Sequence, residues 1–212
     1  MENPEKWKDD KIHNETNPYI YDCITCKTRC DGVSKGVYNF TTDVEFAEEQ
    51  EEIIISKINR NPNYFAKKSE EAGYPDIEIY NKNNELMSYL EIKAQRRTFM
   101  SVEKILPKSE LKPSETLALN LSDLKRYFEI EKQTKTPTSI LWVLMNRPCM
   151  VKPTEKKFFY QKTTILKEIY ENNPLSRKFR RKSGKGDVIG GIHKGVVVNY
   201  HFSINELKEW KG

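Results

Sequence analysis

The stretch from Gly73 to Gln95 constrains the fold most, because it contains two alternating polar and apolar runs joined by an Asn-rich link. This pattern predicts a β-hairpin. Successive side chains of a strand point to opposite faces, so Asp76 on the first strand shares a face with Glu91 and Lys93 on the second. The apolar faces of both strands must be buried. The sequence therefore predicts two acids and a lysine on one face of a sheet.

The register of this hairpin determines how close the two acids come. A link formed by residues 81–84 would place Asp76 opposite Tyr89, with Glu91 as its diagonal neighbour roughly 7–8 Å away. Two carboxylates at that distance repel each other unless a cation lies between them. A hard divalent ion such as Mg²⁺, bound through one or two carboxylates, fits this arrangement. The alternative is a set of solvated charges on an exposed sheet face.

A third acid precedes the hairpin on a predicted helix. Thr42 and Glu45 form a capping-box pattern that predicts a helix over residues 43–58. At about 100° per residue, Glu51 lies at the centre of the apolar stripe of this helix and Glu48 lies at its margin. A buried carboxylate costs several kcal/mol unless it is paired. Glu51 is therefore a candidate site residue, unless it reaches solvent or a lysine.

The order of the elements predicts the fold class. A helix capped by Ser122 and extending to about Lys132 follows the hairpin, and the continuous apolar run over residues 138–145 is typical of a buried central strand. Helix, hairpin, helix and strand together predict an α/β fold, with a mixed central β-sheet flanked by helices on both faces.

The remaining sequence divides into a short N-terminal part and a basic C-terminal part. Residues 1–40 are irregular, residues 41–150 form the predicted core, and residues 151–212 extend the same domain. The elements predicted in the last third are an edge strand at 156–160, a helix at 163–171, a hairpin over 188–202 and a closing helix from the capping box of Ser203 and Glu206.

Three cysteines in the N-terminal part, Cys23, Cys26 and Cys30, have the spacing C-x₂-C-x₃-C. In a reducing compartment such residues are metal ligands or free thiols rather than disulfides. A structural Zn²⁺ site needs four ligands, and Cys149 or His13 would have to supply the fourth. An iron–sulfur cluster is chemically compatible as well.

Composition and charge exclude several classes of protein. No run approaches the roughly 18 apolar residues of a membrane span, and the N-terminus is too polar for a secretory signal, so we expect a cytoplasmic protein without membrane contact. Residues 151–212 carry 14 Lys and Arg against 6 Asp and Glu. This surplus is consistent with a polyanionic partner and with an ordinary solvated basic face, and charge alone does not separate the two. The Gly-rich segment after Gly184 does not open a helix after a strand, as a phosphate-binding loop would.

Pro75-Asp76, followed 15 residues later by Glu91-Ile92-Lys93, resembles the motif of the PD-(D/E)XK nuclease superfamily, which has the restriction-endonuclease-like fold. Gln95 fits the glutamine that many members carry shortly after the lysine. Glu51, or in its place Glu48, corresponds to the helix acid of many members. The resemblance covers roughly residues 42–146, and the cysteines and the basic C-terminal part lie outside it.

The resemblance implies a Mg²⁺-dependent endonuclease that hydrolyses double-stranded DNA, with Mn²⁺ as a substitute ion. Asp76, Glu91, the Ile92 carbonyl and Glu51 would bind the metal, and Lys93 would orient or deprotonate the attacking water. The residues expected to contact DNA are Arg96, Arg97, Arg177, Lys178, Arg180, Arg181, Lys182 and Lys185.

Among the members of this superfamily the chain is most like a prokaryotic type II restriction enzyme, which implies a homodimer and a cognate DNA methyltransferase. A repair, junction-resolving or mobile-element nuclease of the same fold is the first alternative. The second is a non-catalytic DNA-binding protein that contains zinc.

Overall fold

A computed structural model describes residues 40–95, 98–145, 151, 155–180, 188–189, 192–193 and 198–211. Only the backbone is described for residues 40–44, 188–189 and 192–193. The predicted cysteine cluster and five of the predicted DNA contacts lie outside the described residues, namely Arg96, Arg97, Arg181, Lys182 and Lys185.

The first half of the chain contains the predicted helix and hairpin. Its elements are α1 (Phe40–Ile58), β1 (Tyr64–Lys68), β2 (Ile77–Asn81), β3 (Leu86–Gln95), α2 (Val102–Ile105), β4 (Thr116–Asn120) and α3 (Leu121–Thr134). A 3₁₀ turn at Pro107–Ser109 follows α2.

The second half contains one long buried strand and several shorter elements. They are β5 (Thr138–Leu144), β6 (Lys157–Lys162), α4 (Thr163–Asn172), β7 (Lys178–Arg180), β8 (Val188–Ile189), β9 (Ile192–His193), β10 (Val198–Ser203) and β11 (Lys208–Trp210). A 3₁₀ turn at Ile204–Glu206 precedes β11.

A six-stranded mixed sheet organises these elements in the order β1-β2-β3-β5-β6-β11. β3 and β5 are parallel, and their other neighbours in this sheet are antiparallel. Strands β4, β10 and β7 form a second sheet, and β8 pairs with β9. The described strands β6 and β11 thus extend the sheet that contains the hairpin.

Helices cover both faces of the large sheet. On one face, Ile54 of α1 packs in a buried cluster with Ile77, Ile92 and Leu141. On the other, α3 packs in a larger cluster that includes the fully buried Trp142 of β5. Because side chains of a strand alternate, neighbouring residues of β5 enter opposite cores. The predicted mixed α/β sheet flanked by helices is confirmed.

The structure corrects several element predictions in the first half. Residues 64–68 form a strand that the sequence pattern did not indicate, because only Ala66 in β1 is buried and the segment lacks apolar alternation. Strand β4 was also missed. Helix α3 begins at Leu121 rather than after a Ser122 cap, and Asn120 takes the N-cap position without a side-chain hydrogen bond.

Long-range pairing overturns three predictions in the last third. β6 is not an edge strand, because β11 pairs along its outer side. The predicted 188–202 hairpin is wrong, since β10 pairs with β4 and β7 instead. The capping box of Ser203 and Glu206 does form, but it caps a single 3₁₀ turn that leads into β11 rather than a closing helix.

Within the described part of the chain, no helix is long and apolar enough to cross a membrane.

Candidate active site

The hairpin brings Asp76 to the level of the Glu91-Ile92-Lys93 segment. Glu78 pairs with Tyr89 and Ile77 with Leu90, so continuing the register by one residue places Asp76 opposite Glu91. The expected pairing of Asp76 with Tyr89 is wrong by two residues. One residue comes from the turn, since Tyr80 pairs with Leu86 instead of Glu85, and the other comes from the irregularity between Ile79 and Tyr80. A shift of two residues leaves every side chain on its face, which is why the predicted grouping of the acids survives.

A backbone hydrogen bond holds Asp76 in this position. The Ile92 N–H donates to Asp76 Oδ2 at 2.8 Å. Ile92 itself is buried on the opposite face, where it packs in the cluster around Ile54. The apolar side of β3 therefore anchors the strand while its backbone orients the acid on the other side.

Glu91 is the most deeply buried acid of the site, with a side chain 2% exposed. Its Oε1 forms an ion pair with Lys93 Nζ. Its Oε2 is buried and has no hydrogen-bond partner among the described residues. An unpaired buried carboxylate oxygen is costly, so this atom is a natural ligand for a cation.

The charge balance of the site favours a bound cation as well. Burial, followed by the charge of Glu91, raises the pKa of Asp76 to about 7, although the Ile92 N–H and Lys93 act in the opposite direction. Burial alone would lower the pKa of Lys93, but its interactions with Glu91 and Asp76 outweigh burial and raise it. Lys93 is thus an ammonium group, and its single charge does not balance two adjacent carboxylates.

Glu51 lies near this pair, but the predicted geometry of its helix needs correction. Among the α1 residues with described side chains, 45–58, the fully buried ones are Gln50 and Ile54, so Gln50, not Glu51, is at the centre of the buried face. The Gln50 side chain is satisfied by Lys156 Nζ at 2.8 Å. The side chain of Glu51 is 16% exposed and pairs with Lys68 Nζ at 3.3 Å.

Glu51 rather than Glu48 faces the site. Glu48 is exposed, whereas the charge of Glu51 contributes to the raised pKa of Asp76. The expected alternative, in which Glu51 reaches a lysine, is also observed, because Lys68 Nζ contacts both Glu51 and Glu52. Glu51 is close enough to act on Asp76 while its own charge is compensated by Lys68.

Helix α3 contributes three neighbours that sequence reasoning missed as site residues. Tyr127 is buried, and burial together with the charge of Glu91 raises the pKa of its hydroxyl. Arg126 Nη2 donates to Tyr127 Oη at 3.3 Å and pairs with Asp123 Oδ1 at 3.2 Å. From sequence, Tyr127 belongs to the apolar stripe of this helix together with Leu121, Leu124 and Phe128. Nothing in that periodicity indicates which strand residue its hydroxyl approaches.

Gln95 joins the site strand to the second sheet. Its Oε1 accepts a hydrogen bond from the Ala118 N–H at 3.1 Å, and its Nε2 donates to the Thr116 carbonyl at 3.3 Å. Its side chain therefore contacts the backbone of β4 at the end of β3. This contact fixes the end of β3 just beyond Lys93.

The basic residues of the last third occupy different environments. Arg177 Nη1 donates to both carboxylate oxygens of Glu206 at 2.7 Å, and its side chain is 13% exposed. Its Nη1 is thus paired within the protein, which argues against the expected role of Arg177 as a DNA contact. Lys178 is half-buried and Arg180 is exposed on β7.

Two carboxylates, not a larger cluster, form the candidate metal centre. In the described ranges no group of three or more His, Cys, Asp or Glu side chains is arranged to hold a metal ion. Asp76 and the unpaired Oε2 of Glu91 nevertheless fit a Mg²⁺-type ion, which is bound through one or two carboxylates and keeps several waters. The donor set is therefore compatible with the expected ion.

Comparison with known proteins finds similarity in structure but not in sequence. No protein-family model matches the sequence, and no curated protein is significantly similar to it. A Holliday junction resolvase, Hjc of the hyperthermophile Archaeoglobus fulgidus, is 10% identical with a TM-score of 0.41, covering 77% of this chain and 91% of that chain. A nuclease from a fusselovirus is 11% identical with a TM-score of 0.42, covering 82% of this chain and 89% of that chain. At these scores, functional inference depends on the geometry of the site.

Proposed function

We propose that this chain is a divalent-metal-dependent nuclease that hydrolyses phosphodiester bonds in DNA. The observation that carries the proposal is the position of Asp76 opposite Glu91, with an unpaired buried oxygen on Glu91 and Lys93 beside it. Together with the Pro75-Asp76 and Glu91-Ile92-Lys93 motif, this arrangement supports phosphodiester hydrolysis better than a purely structural ion pair. A purely structural pair gains nothing from a buried acid oxygen that has no partner.

Asp76 and Glu91 would bind Mg²⁺ or Mn²⁺, with the Ile92 carbonyl and Glu51 as further proposed ligands. When bound, the ion supplies stabilisation of the charge that develops on the phosphoryl and leaving oxygens. Asp76 is already oriented by the Ile92 N–H before any ion arrives. Such preorganisation reduces the free energy needed to assemble the site.

Lys93 would act on the attacking water and on the substrate phosphate. In the metal-free protein Glu91 and Asp76 raise the pKa of its amine, so the amine donates hydrogen bonds. It is therefore suited to orienting the water and neutralising a phosphate oxygen. Its side chain is 31% exposed, which leaves it accessible to both.

We further propose double-stranded DNA as substrate and a type II restriction enzyme, acting as a homodimer with a cognate methyltransferase, as the biological form. The surplus of basic residues in the last third supports binding to a polyanion. Lys178 and Arg180 remain proposed phosphate contacts. A repair or junction-resolving nuclease would use the same site residues and differ in substrate.

The test is cleavage of a supercoiled plasmid with Mg²⁺, comparing the unchanged protein with Lys93→Ala and with Lys82→Ala. Lys82 is an exposed lysine in the hairpin turn and serves as the matched control. We expect cleavage by the unchanged protein and by Lys82→Ala. EDTA and Lys93→Ala should each abolish cleavage while DNA binding persists.

The products distinguish the biological forms. Discrete fragments indicate a restriction enzyme, whereas cleavage confined to branched or damaged DNA indicates a junction-resolving or repair nuclease. A protein that binds DNA but never cuts any of these substrates with Mg²⁺ or Mn²⁺ would be a non-catalytic binding protein, and the proposal would be wrong.

A further inference from the structure

Arg126 lies on α3 between the candidate metal centre and solvent. Its side chain is 44% exposed. We infer that Arg126 binds a phosphate of the DNA backbone next to the Asp76, Glu91 and Lys93 site, so that it determines substrate affinity. This inference rests on the proposed nuclease function.

The surroundings of Arg126 place its guanidinium at the edge of the site. Arg126 Nη2 contacts the hydroxyl of Tyr127, a ring that is buried beside Glu91. The aliphatic stem runs along the loop that precedes Asp76, since a Cβ built on Gly73 would lie 3.9 Å from Arg126 Cδ. One side chain thus lies close to the segment leading to Asp76 and contacts the neighbour of Glu91.

The hydrogen bonds of Arg126 leave part of its guanidinium available. The contacts with Tyr127 Oη and Asp123 Oδ1 both use Nη2. Among the residues with described side chains, Nη1 and Nε make no hydrogen bond or ion pair that would occupy them. A guanidinium presents its N–H donors in a planar fork. The donors on Nη1 and Nε therefore remain for an anion.

The geometry also holds the fork in a fixed orientation. The guanidinium carbon lies 5.2 Å from the centroid of the Tyr127 ring, and Nη2 also pairs with Asp123 Oδ1. An exposed ion pair at this i, i+3 spacing contributes little stability by itself. A preorganised guanidinium that faces solvent is well suited to bidentate binding of a phosphate.

Lys93 and Arg126 approach Glu91 from different elements. Lys93 pairs with Glu91 from β3, while Arg126 reaches the neighbourhood of Glu91 from α3 through Tyr127. With DNA bound at the metal centre, Lys93 would contact the reacting phosphate and Arg126 would bind an adjacent phosphate. The contact is made equally in the bound substrate and during reaction, so losing it should raise KM more than it lowers kcat.

The experiment measures binding of a short DNA duplex by fluorescence anisotropy at several salt concentrations, in an Asp76→Asn background that prevents cleavage. Adding Arg126→Ala should weaken binding roughly 10- to 100-fold. It should also reduce the slope of log K against log salt concentration by about 1. Arg126→Lys should restore the slope but only part of the affinity, because an ammonium cannot form the bidentate fork.

Two matched variants separate a phosphate contact from a structural pair. Lys125→Ala removes an exposed charge from the adjacent position of α3 and should leave the binding curve nearly unchanged. Asp123→Ala removes the partner of Arg126 but leaves the fork. If Arg126→Ala and Asp123→Ala lower the melting temperature alike and neither changes DNA affinity, the pair is structural and the inference is wrong.

The outcomes also distinguish this inference from the proposed function. If Arg126→Ala retains both affinity and salt slope while Lys93-dependent cleavage is observed, only the role of Arg126 is disproved. If the Asp76→Asn protein binds no DNA and the unchanged protein cuts none, the nuclease function fails, and the phosphate contact fails with it.

Discussion

The Asp76 carboxylate accepts a 2.8 Å hydrogen bond from the backbone N–H of Ile92, the residue between Glu91 and Lys93. This contact ties the residue before β2 to the middle of β3. It uses a backbone donor, so it depends on the register of the hairpin rather than on the side chain at position 92. The acid is therefore oriented by the sheet itself, and the consequences for charge, stability and activity can be measured.

Binding of Mg²⁺ should stabilise the folded protein through Asp76 and Glu91. A ligand present at 100 times its Kd contributes about 2.7 kcal/mol, because it binds only the folded state. We expect the melting temperature to rise with Mg²⁺ concentration for the unchanged protein. Asp76→Asn and Glu91→Gln should each remove most of this increase.

Glu85→Gln is the control for this thermal measurement, because Glu85 is an exposed acid of the hairpin turn far along the strand from Glu91. It should respond to Mg²⁺ as the unchanged protein does. An equal Mg²⁺ response in all four proteins would show that the ion binds elsewhere.

The raised pKa of Asp76 predicts an unusual pH dependence of stability in metal-free protein. The folded-state pKa of about 7 lies above the ordinary value of 3.8, so the folded state binds this proton more tightly than the unfolded state does. The resulting stability is complete below pH 3.8 and is lost as pH rises towards 7, with a slope of at most about 1.4 kcal/mol per pH unit. Urea denaturation in EDTA at pH 5, 6, 7 and 8 measures this loss.

Asp76→Asn keeps an oxygen that accepts the Ile92 hydrogen bond but removes the charge. Its stability should fall less between pH 5 and 7 than that of the unchanged protein. Identical pH profiles for the two proteins would contradict the raised pKa.

Tyr127→Phe should impair the site while preserving the fold, because the ring remains in the core and only the hydroxyl next to Glu91 and Arg126 is removed. Groups that support metal ligands typically contribute roughly tenfold or more in metal affinity or activity. We therefore expect the Mg²⁺ concentration for half-maximal cleavage to rise about tenfold. Tyr170→Phe, a hydroxyl deletion on α4, should leave that concentration unchanged.

His201 contributes a pH dependence of stability with the opposite sign to that of Asp76, so each contribution is measured as the difference between a variant and the unchanged protein. Burial lowers its pKa from 6.5 to about 4, although its Nδ1–H donates to the Arg177 carbonyl. Below pH 6.5 the imidazole is protonated in the unfolded state but not in the folded state. The contribution of His201 to the free energy of unfolding therefore falls as pH drops towards 4. The loss from this residue amounts to about 3 kcal/mol at most.

His201→Phe should remove this contribution from the pH profile. A phenyl ring can keep the packing against Phe99, and the Arg177 carbonyl still accepts the backbone N–H of residue 201 at 3.1 Å. Denaturant titrations at pH 4, 5 and 6.5 on both proteins give the difference. An unchanged acid dependence in the variant would assign the effect to other groups.

Arg177 and Arg180 should respond oppositely to alanine substitution. Arg177→Ala breaks a largely buried pair with Glu206 and should lower the free energy of unfolding by roughly 1–3 kcal/mol. Arg180→Ala, at an exposed position of β7, should leave stability intact and weaken DNA binding. Denaturant titrations measure the stability of both variants, and fluorescence anisotropy measures their DNA affinity. Reduced DNA affinity in a properly folded Arg177→Ala protein would show that Arg177 contacts DNA.

Local sequence patterns were sufficient for the main elements and for the grouping of the acids. Alternation with a period of two assigns Asp76, Glu91 and Lys93 to one face, and this assignment survived an error of two residues in the register. The continuous apolar run of β5 predicted a buried central strand for the same reason, since burial on both faces requires apolar residues throughout.

Pairings between distant residues were decided only by the tertiary structure. Asn199 pairs with Asn120, and Trp210 pairs with Phe158, so β10 and β11 complete sheets whose other strands lie far back in the chain. Periodicity within a segment carries no information about such partners. A capping box at Ser203 could therefore be predicted, but the strand that follows it could not.

The candidate site shows the same division. The sequence by itself determined which side chains of the hairpin share a face of the sheet, because the alternation of side chains along a strand is a local property. Only the tertiary structure decided that Tyr127 and Arg126 come from α3 to meet Glu91, and that Gln50 takes the buried centre of α1 while Glu51 turns to Lys68. The physical reason is that packing between elements, not the period of any one element, selects the neighbours of each charge.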